Sequence, residues 1–192
     1  MQPDAEHTPL EQLQWRYAWP EYHRSGLMPV LCEYLESVTR DDFGLALRYR
    51  YWQELAVAEA EHFFELQLAK HRFDTAWAQD FIFVHRDFQP ALSIAQWRYC
   101  CWAATRQGAS VALQQRLPAP AQVREAIYVE LQQRAARLAT GVWAECSFPP
   151  PNPRPGSALS RIFVTHLARL GPEFWLLAPH VEHVLFRAGA QR

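Results

Sequence analysis

Apolar residues return every three to four positions over most of this chain, and that period constrains the fold more than any other feature. Leu27, Val30, Leu31, Tyr34, Leu35 and Val38 make one helical face. Trp52, Leu55, Ala56, Phe63, Leu66 and Phe73 fall in one sector of a long helix predicted over 41–73, opened by Asp41 or Asp42. Val123, Ile127, Leu131, Ala135 and Leu138 carry a third stripe, running to about Thr140 after the breaks at Pro118 and Pro120. Leu159, Ile162, Phe163, His166, Leu167 and Leu170 carry a fourth, with Ser157 as its cap and Gly171-Pro172 as its end.

Between these stripes the pattern is less decided. A short helix is predicted over 9–19. Residues 74–85 read as a helix capped by Asp74, with a short strand at Phe81-Ile-Phe-Val84 as the competing reading. Asp87 is expected to cap a helix from about Phe88 to Gln107, closed by Gly108. Ala109–Leu117, Gly141–Phe148 (GVWAECSF) and Val181–Phe186 alternate well enough to be strand candidates. The fold class expected is mainly α with an α+β character. A helical body over 1–140 precedes a small unit over 141–192 that holds a few short strands and a Pro-rich loop at 149–155.

Composition bounds the function. The chain has 192 residues and a net charge of −1, which argues against a general nucleic-acid binder. The longest run without Asp, Glu, Lys or Arg is the ten residues Phe88–Trp97, too short for a membrane span, so no membrane partner is expected. The acidic, polar start MQPDAEHTPLEQ does not read as a secretory signal. Cys32, Cys100, Cys101 and Cys146 match no zinc-site spacing and read as core residues of a reducing, cytoplasmic compartment. The basic residues are 18 Arg and one Lys. Residues 116–192 carry nine basic and five acidic side chains, against ten and fifteen before them. An Arg-rich surface suits acidic or aromatic protein partners, although scattered surface charge gives the same count.

Three chemical constellations stand out. Glu59-Ala-Glu-His62 puts a carboxylate and an imidazole on one helical face. Two such pairs build di-iron bundles, but no second Glu-x-x-His occurs, so Glu59 and His62 read better as a half-buried hydrogen-bonded pair than as metal ligands. His180 and His183 share a face only if their segment is helical. Trp15-Arg-Tyr-Ala-Trp19, Arg48-Tyr-Arg-Tyr-Trp52 and Trp97-Arg-Tyr-Cys-Cys-Trp102 repeat an Arg–aromatic theme suited to cation–π stacking, or to core rings with Arg heads in solvent. Gly-rich phosphate loops and nucleophile elbows are absent. No catalytic, cofactor-binding or metal-binding residue is therefore assigned.

The Trp/Tyr/Arg-rich helical body leads through Phe88-Gln-Pro-Ala-Leu-Ser-Ile-Ala-Gln-Trp97 to a helix near Trp102, and the chain closes with His183-Val-Leu-Phe-Arg-Ala188. This layout resembles the MbnC-type partner subunits of methanobactin biosynthesis, the pathway to a peptide copper chelator. The resemblance extends over most of the chain. It implies an accessory role with no cofactor in this chain. The iron would reside in a partner, a TIM-barrel oxygenase subunit that turns cysteines of a ribosomally made precursor peptide into oxazolone and thioamide groups. It further implies that this subunit helps to hold the peptide's leader. Strand addition at GVWAECSF and VEHVLFRA is the expected mode, with Val142, Trp143, Val184, Phe186 and Arg187 as the candidate contacts. Binding alone, as a toxin-neutralising or adaptor protein, is the competing reading. A helical metalloenzyme built on Glu59 and His62 is the third.

Overall fold

The computed structural model describes residues 29–30, 33, 42–88, 92–114, 119–152 and 158–184. Helix α1 (Asp42–Lys70) is followed by a 3-10 helix (Thr75–Asp80) and α2 (Phe81–Asp87). Then come α3 (Ile94–Gln114), α4 (Pro120–Ala139), α5 (Ala158–Ile162), a π-helical turn (Phe163–Leu167) and α6 (Glu173–Leu176). A last helical turn covers 181–184. The helix expected over 9–19 lies outside the described residues. Of the helix expected over 27–38, positions 29, 30 and 33 are described, and all three are helical.

The α+β expectation is overturned: no strand occurs among the described residues. Gly141–Phe148 is a helix C-cap followed by turns. Gly141 has φ +78°. Its N–H donates to Leu138 O at 3.0 Å, and the Val142 N–H donates to Arg137 O at 3.2 Å. That is a Schellman cap, so the backbone donor a strand would need is turned back onto α4. Phe81-Ile-Phe-Val84 is helical, and so are the described part of the third strand candidate, 109–114, and positions 181–184. Eight or fewer apolar-rich residues fit a buried helical turn as readily as a strand.

Two apolar clusters form the core. The larger gathers Phe64, Leu68, Phe81, Trp97, Ile127 and Leu131 with their neighbours on α1 to α4. The smaller gathers Trp52, Leu55, Ile94, Phe163, Phe174 and Val184. Helix α1 serves both. Its buried residues Trp52, Ala56, Ala60, Phe64 and Leu68 recur every four positions. Four residues overshoot a turn by ~40°, so the buried stripe rotates along the helix from the smaller cluster into the larger. Leu66, expected in the apolar sector, is left exposed by that rotation.

Helix α3 starts later and runs further than expected. Ser93, not Asp87, is its cap. Ser93 Oγ accepts from the Gln96 N–H at 3.2 Å, and Gln96 Oε1 accepts from the Ser93 N–H at 3.0 Å. Gly108 does not end the helix but lies inside it, against α4. A Cβ there would sit 2.4 Å from Ile127 Cγ1, so glycine is what lets the two antiparallel helices approach. Asp74 does cap the next element, accepting from the Ala76 N–H at 3.0 Å, although that element is a 3-10 helix. In the fourth stripe the π turn widens the helix: the Ala168 N–H donates to Phe163 O at 2.8 Å. The buried face here is Phe163, Val164 and Ala168, and Leu159, which precedes the π turn, is exposed. No helix among the described residues is long and apolar enough to cross a membrane.

Candidate functional site

The third Arg–aromatic repeat divides its work along α3. Trp97 enters the larger core, with its ring 5.2 Å from Phe81 and 5.1 Å from His85. Cys100 and Cys101 are buried beside it. Burial pushes the Cys100 thiol up to about 12 and Cys101 well above its ordinary value, so both stay protonated and unreactive. Arg98, Tyr99 and Trp102 turn the other way, toward the segment that follows α4.

Arg98 binds that segment down. Its guanidinium lies 4.0 Å from the centre of the Phe63 ring, 5.8 Å from Phe148 and 5.7 Å from Trp175. Its Nε–H donates to Phe148 O at 3.0 Å. Burial lowers the Arg98 pKa, and the nearby Glu59 carboxylate works against that lowering. The Phe148 N–H donates to Ala95 O at 2.8 Å, and Gln96 Nε2 donates to Ala144 O at 3.3 Å. Residues 141–148 are thus laid across α3 by main-chain and side-chain bonds.

The result is a continuous face of stacked rings and guanidiniums. Trp102 stacks on Phe148 at 6.1 Å and meets Tyr99 in a tilted contact at 6.1 Å. Arg106 lies over Trp102 at 4.9 Å. From α4, Arg134 donates to Tyr99 Oη at 2.7 Å and to Glu130 at 2.5 Å, and it lies 5.5 Å from Trp143. Arg137 covers the same indole at 4.6 Å. Arg106 and Arg137 are exposed, as are Val142 and Phe148. Chemically this face offers two exposed cations, flat apolar surface and a fixed aromatic lattice. Those are the features that hold acidic or aromatic side chains of a partner.

The residues singled out in the sequence separate here. Val142 and Trp143 belong to the face. Val184 is buried in the smaller core, 1% exposed, so it offers no surface to a peptide. Phe186 and Arg187 lie outside the described residues. Glu59 is half-buried near Arg98, whereas His62 is exposed with its Nδ1 3.7 Å from Glu65 Oε2, so the two do not act as a pair. His180 and His183 stand 6.0 Å apart between ring centres; His183 packs 6.1 Å from Trp52, and His180 Nδ1 lies 3.8 Å from Glu182 Oε2. Among the described residues no three His, Cys, Asp or Glu side chains converge to hold a metal ion. The Arg106, Arg134 and Arg137 contributions were missed from sequence. Their signal was there: Arg134 and Arg137 follow α4's apolar stripe at i, i+3 and lead directly into Trp143.

The described chain is thus a helical assembly whose most developed surface is an Arg–aromatic face. Comparison with protein-family models, curated proteins and solved structures found no match.

Proposed function

We propose that this chain is a binding subunit without metal of its own. In this reading it accompanies a TIM-barrel iron oxygenase and holds the leader of a ribosomally made precursor peptide on its Arg–aromatic face. One observation supports the binding role above the others: Arg106 and Arg137 sit exposed over Trp102 and Trp143, beside exposed Val142 and Phe148. Such a surface recognises an acidic and aromatic segment through side chains. Strand addition is withdrawn, because 141–148 turns back on α4 and shows no free strand edge. The iron oxygenase and the peptide come from the sequence resemblance alone.

The test is purification of the tagged chain from its own host, with mass spectrometry and iron analysis of the eluate. The reading expects a stoichiometric iron-bearing barrel protein and a short Cys-containing peptide. A metal-free toxin as the stoichiometric partner would replace it with a neutralising role. Recovery of the chain alone with bound metal would replace it with a metalloenzyme.

A further inference from the structure

We propose that the N-terminal half of α4 is a docking strip for a basic amphipathic helix of a partner protein. Ala121, Glu125 and Val129 stand at i, i+4 and i+8 and are all exposed, so they form one outward strip. A groove runs along each side of it, and the strip lines both. One groove, of about 500 Å³, reaches Phe83 and Asp87 across α2. The other, of about 550 Å³, reaches Val111 on α3. A ridge between two grooves is the shape that an approaching helix meshes with.

Apolar exposure and charge select the occupant. Phe83, 60% exposed across the first groove, and Val129, 41% exposed at the end of the strip, supply apolar surface on either side of Glu125. Among the described residues, the Phe83 groove is lined by Asp80, Asp87 and Glu125 against a single cation, Arg124. Arg124 is already bonded to Asp80. Asp87 and Glu125 therefore set the sign of the groove, and a helix bearing Arg or Lys beside its apolar stripe complements it. Arg86 leans over the Phe83 ring at 6.0 Å but is not among the lining residues. The strip shares no residue with the Arg–aromatic face, so this inference does not rest on the function proposed above.

The test uses the full chain, isotope-labelled for amide spectra. It is titrated with a synthetic Leu/Arg amphipathic helix of about 18 residues, and separately with the same peptide carrying Glu for Arg. The Leu/Arg peptide should shift amides of α2 and of 120–132 saturably, and Glu125→Arg should weaken it about tenfold or more. The Leu/Glu peptide should leave those amides in place. Equal shifts with both peptides, shifts confined to 98–106 and 134–148, no shifts at all, or indifference to Glu125→Arg would each overturn the proposal. So would self-association of the peptide-free chain that Val129→Asp abolishes, since it would seat a second copy on the strip.

Discussion

The two apolar clusters are built by opposite means. The larger is made mainly by long helices that meet along their lengths; most of its residues follow regular helical stripes on α1, α3 and α4, with Ala78, Phe81, Val84 and Leu92 added by the shorter segment between α1 and α3. The smaller is made by short turns closing on the early part of α1 and the start of α3 around Trp52 and Ile94. Its chain direction changes repeatedly, with a π turn at Phe163–Leu167 followed by positive φ at Arg169 and Gly171. A five-residue helix has no independent stability, so α5, α6 and the last turn are held by what they bury, not by propensity. The first cluster organises itself; the second is organised by docking onto α1 and α3.

The largest test of that difference is a pair of substitutions. Trp97→Ala should cost about 3–5 kcal/mol and lower the midpoint of the whole unfolding transition. Trp52→Ala removes a ring of the same size, but should first release hydrogen-exchange protection in 158–184, with amides of α3 and α4 still protected. Equal loss of protection everywhere in both variants would merge the two clusters into one cooperative unit.

A second test separates the clusters by pH. His85 is buried between Phe81 and Trp97 in the larger cluster, and burial lowers its pKa from 6.5 to about 4. The unfolded chain therefore binds a proton between these values that the folded chain refuses. Stability is fully present above pH 6.5 and falls by about 3 kcal/mol as pH drops toward 4. Denaturant titrations of wild type and His85→Phe across this window should diverge only below pH 6.5.

Smaller effects sharpen the picture locally. Gly108→Ala drives a methyl group into Ile127 and should destabilise α3–α4 packing by about 1–3 kcal/mol, readable as a lower thermal midpoint. Arg98→Lys keeps the charge but loses the planar contact with Phe63 and the bond to Phe148 O. It should cost about 1 kcal/mol and raise exchange in 144–148 before any other segment.

The same contrast explains what could be read from the sequence. Helices α1 and α4 were legible because their stripes are long and regular. Ser93-Ile-Ala-Gln96 carried a legible capping box, yet Asp87 offered a competing cap six residues earlier. Gly108 reads from sequence as a stop, because nothing local says that another helix will cross it. Gly141 suited a C-cap, but the alternation of 141–148 suggested a strand, and short alternation cannot distinguish turns from strands. Of the candidate contacts, Val142 and Trp143 reach the Arg–aromatic face. Val184 is buried instead, because the last turn packs as a helix into the smaller cluster. The arginines of the face escaped notice because α3, α4 and the segment after α4 must meet before they share a surface.

The most direct test of the binding account is charge reversal on the exposed arginines. Wild type and an Arg106→Glu/Arg137→Glu variant would be purified from the native host in parallel, and the retained peptide quantified against the chain by mass spectrometry. Both side chains are exposed, so the fold should be preserved, as circular dichroism and thermal melting would verify. The account predicts that the variant melts within a few degrees of wild type and loses the peptide. A folded variant that retains the peptide at the wild-type ratio would contradict it.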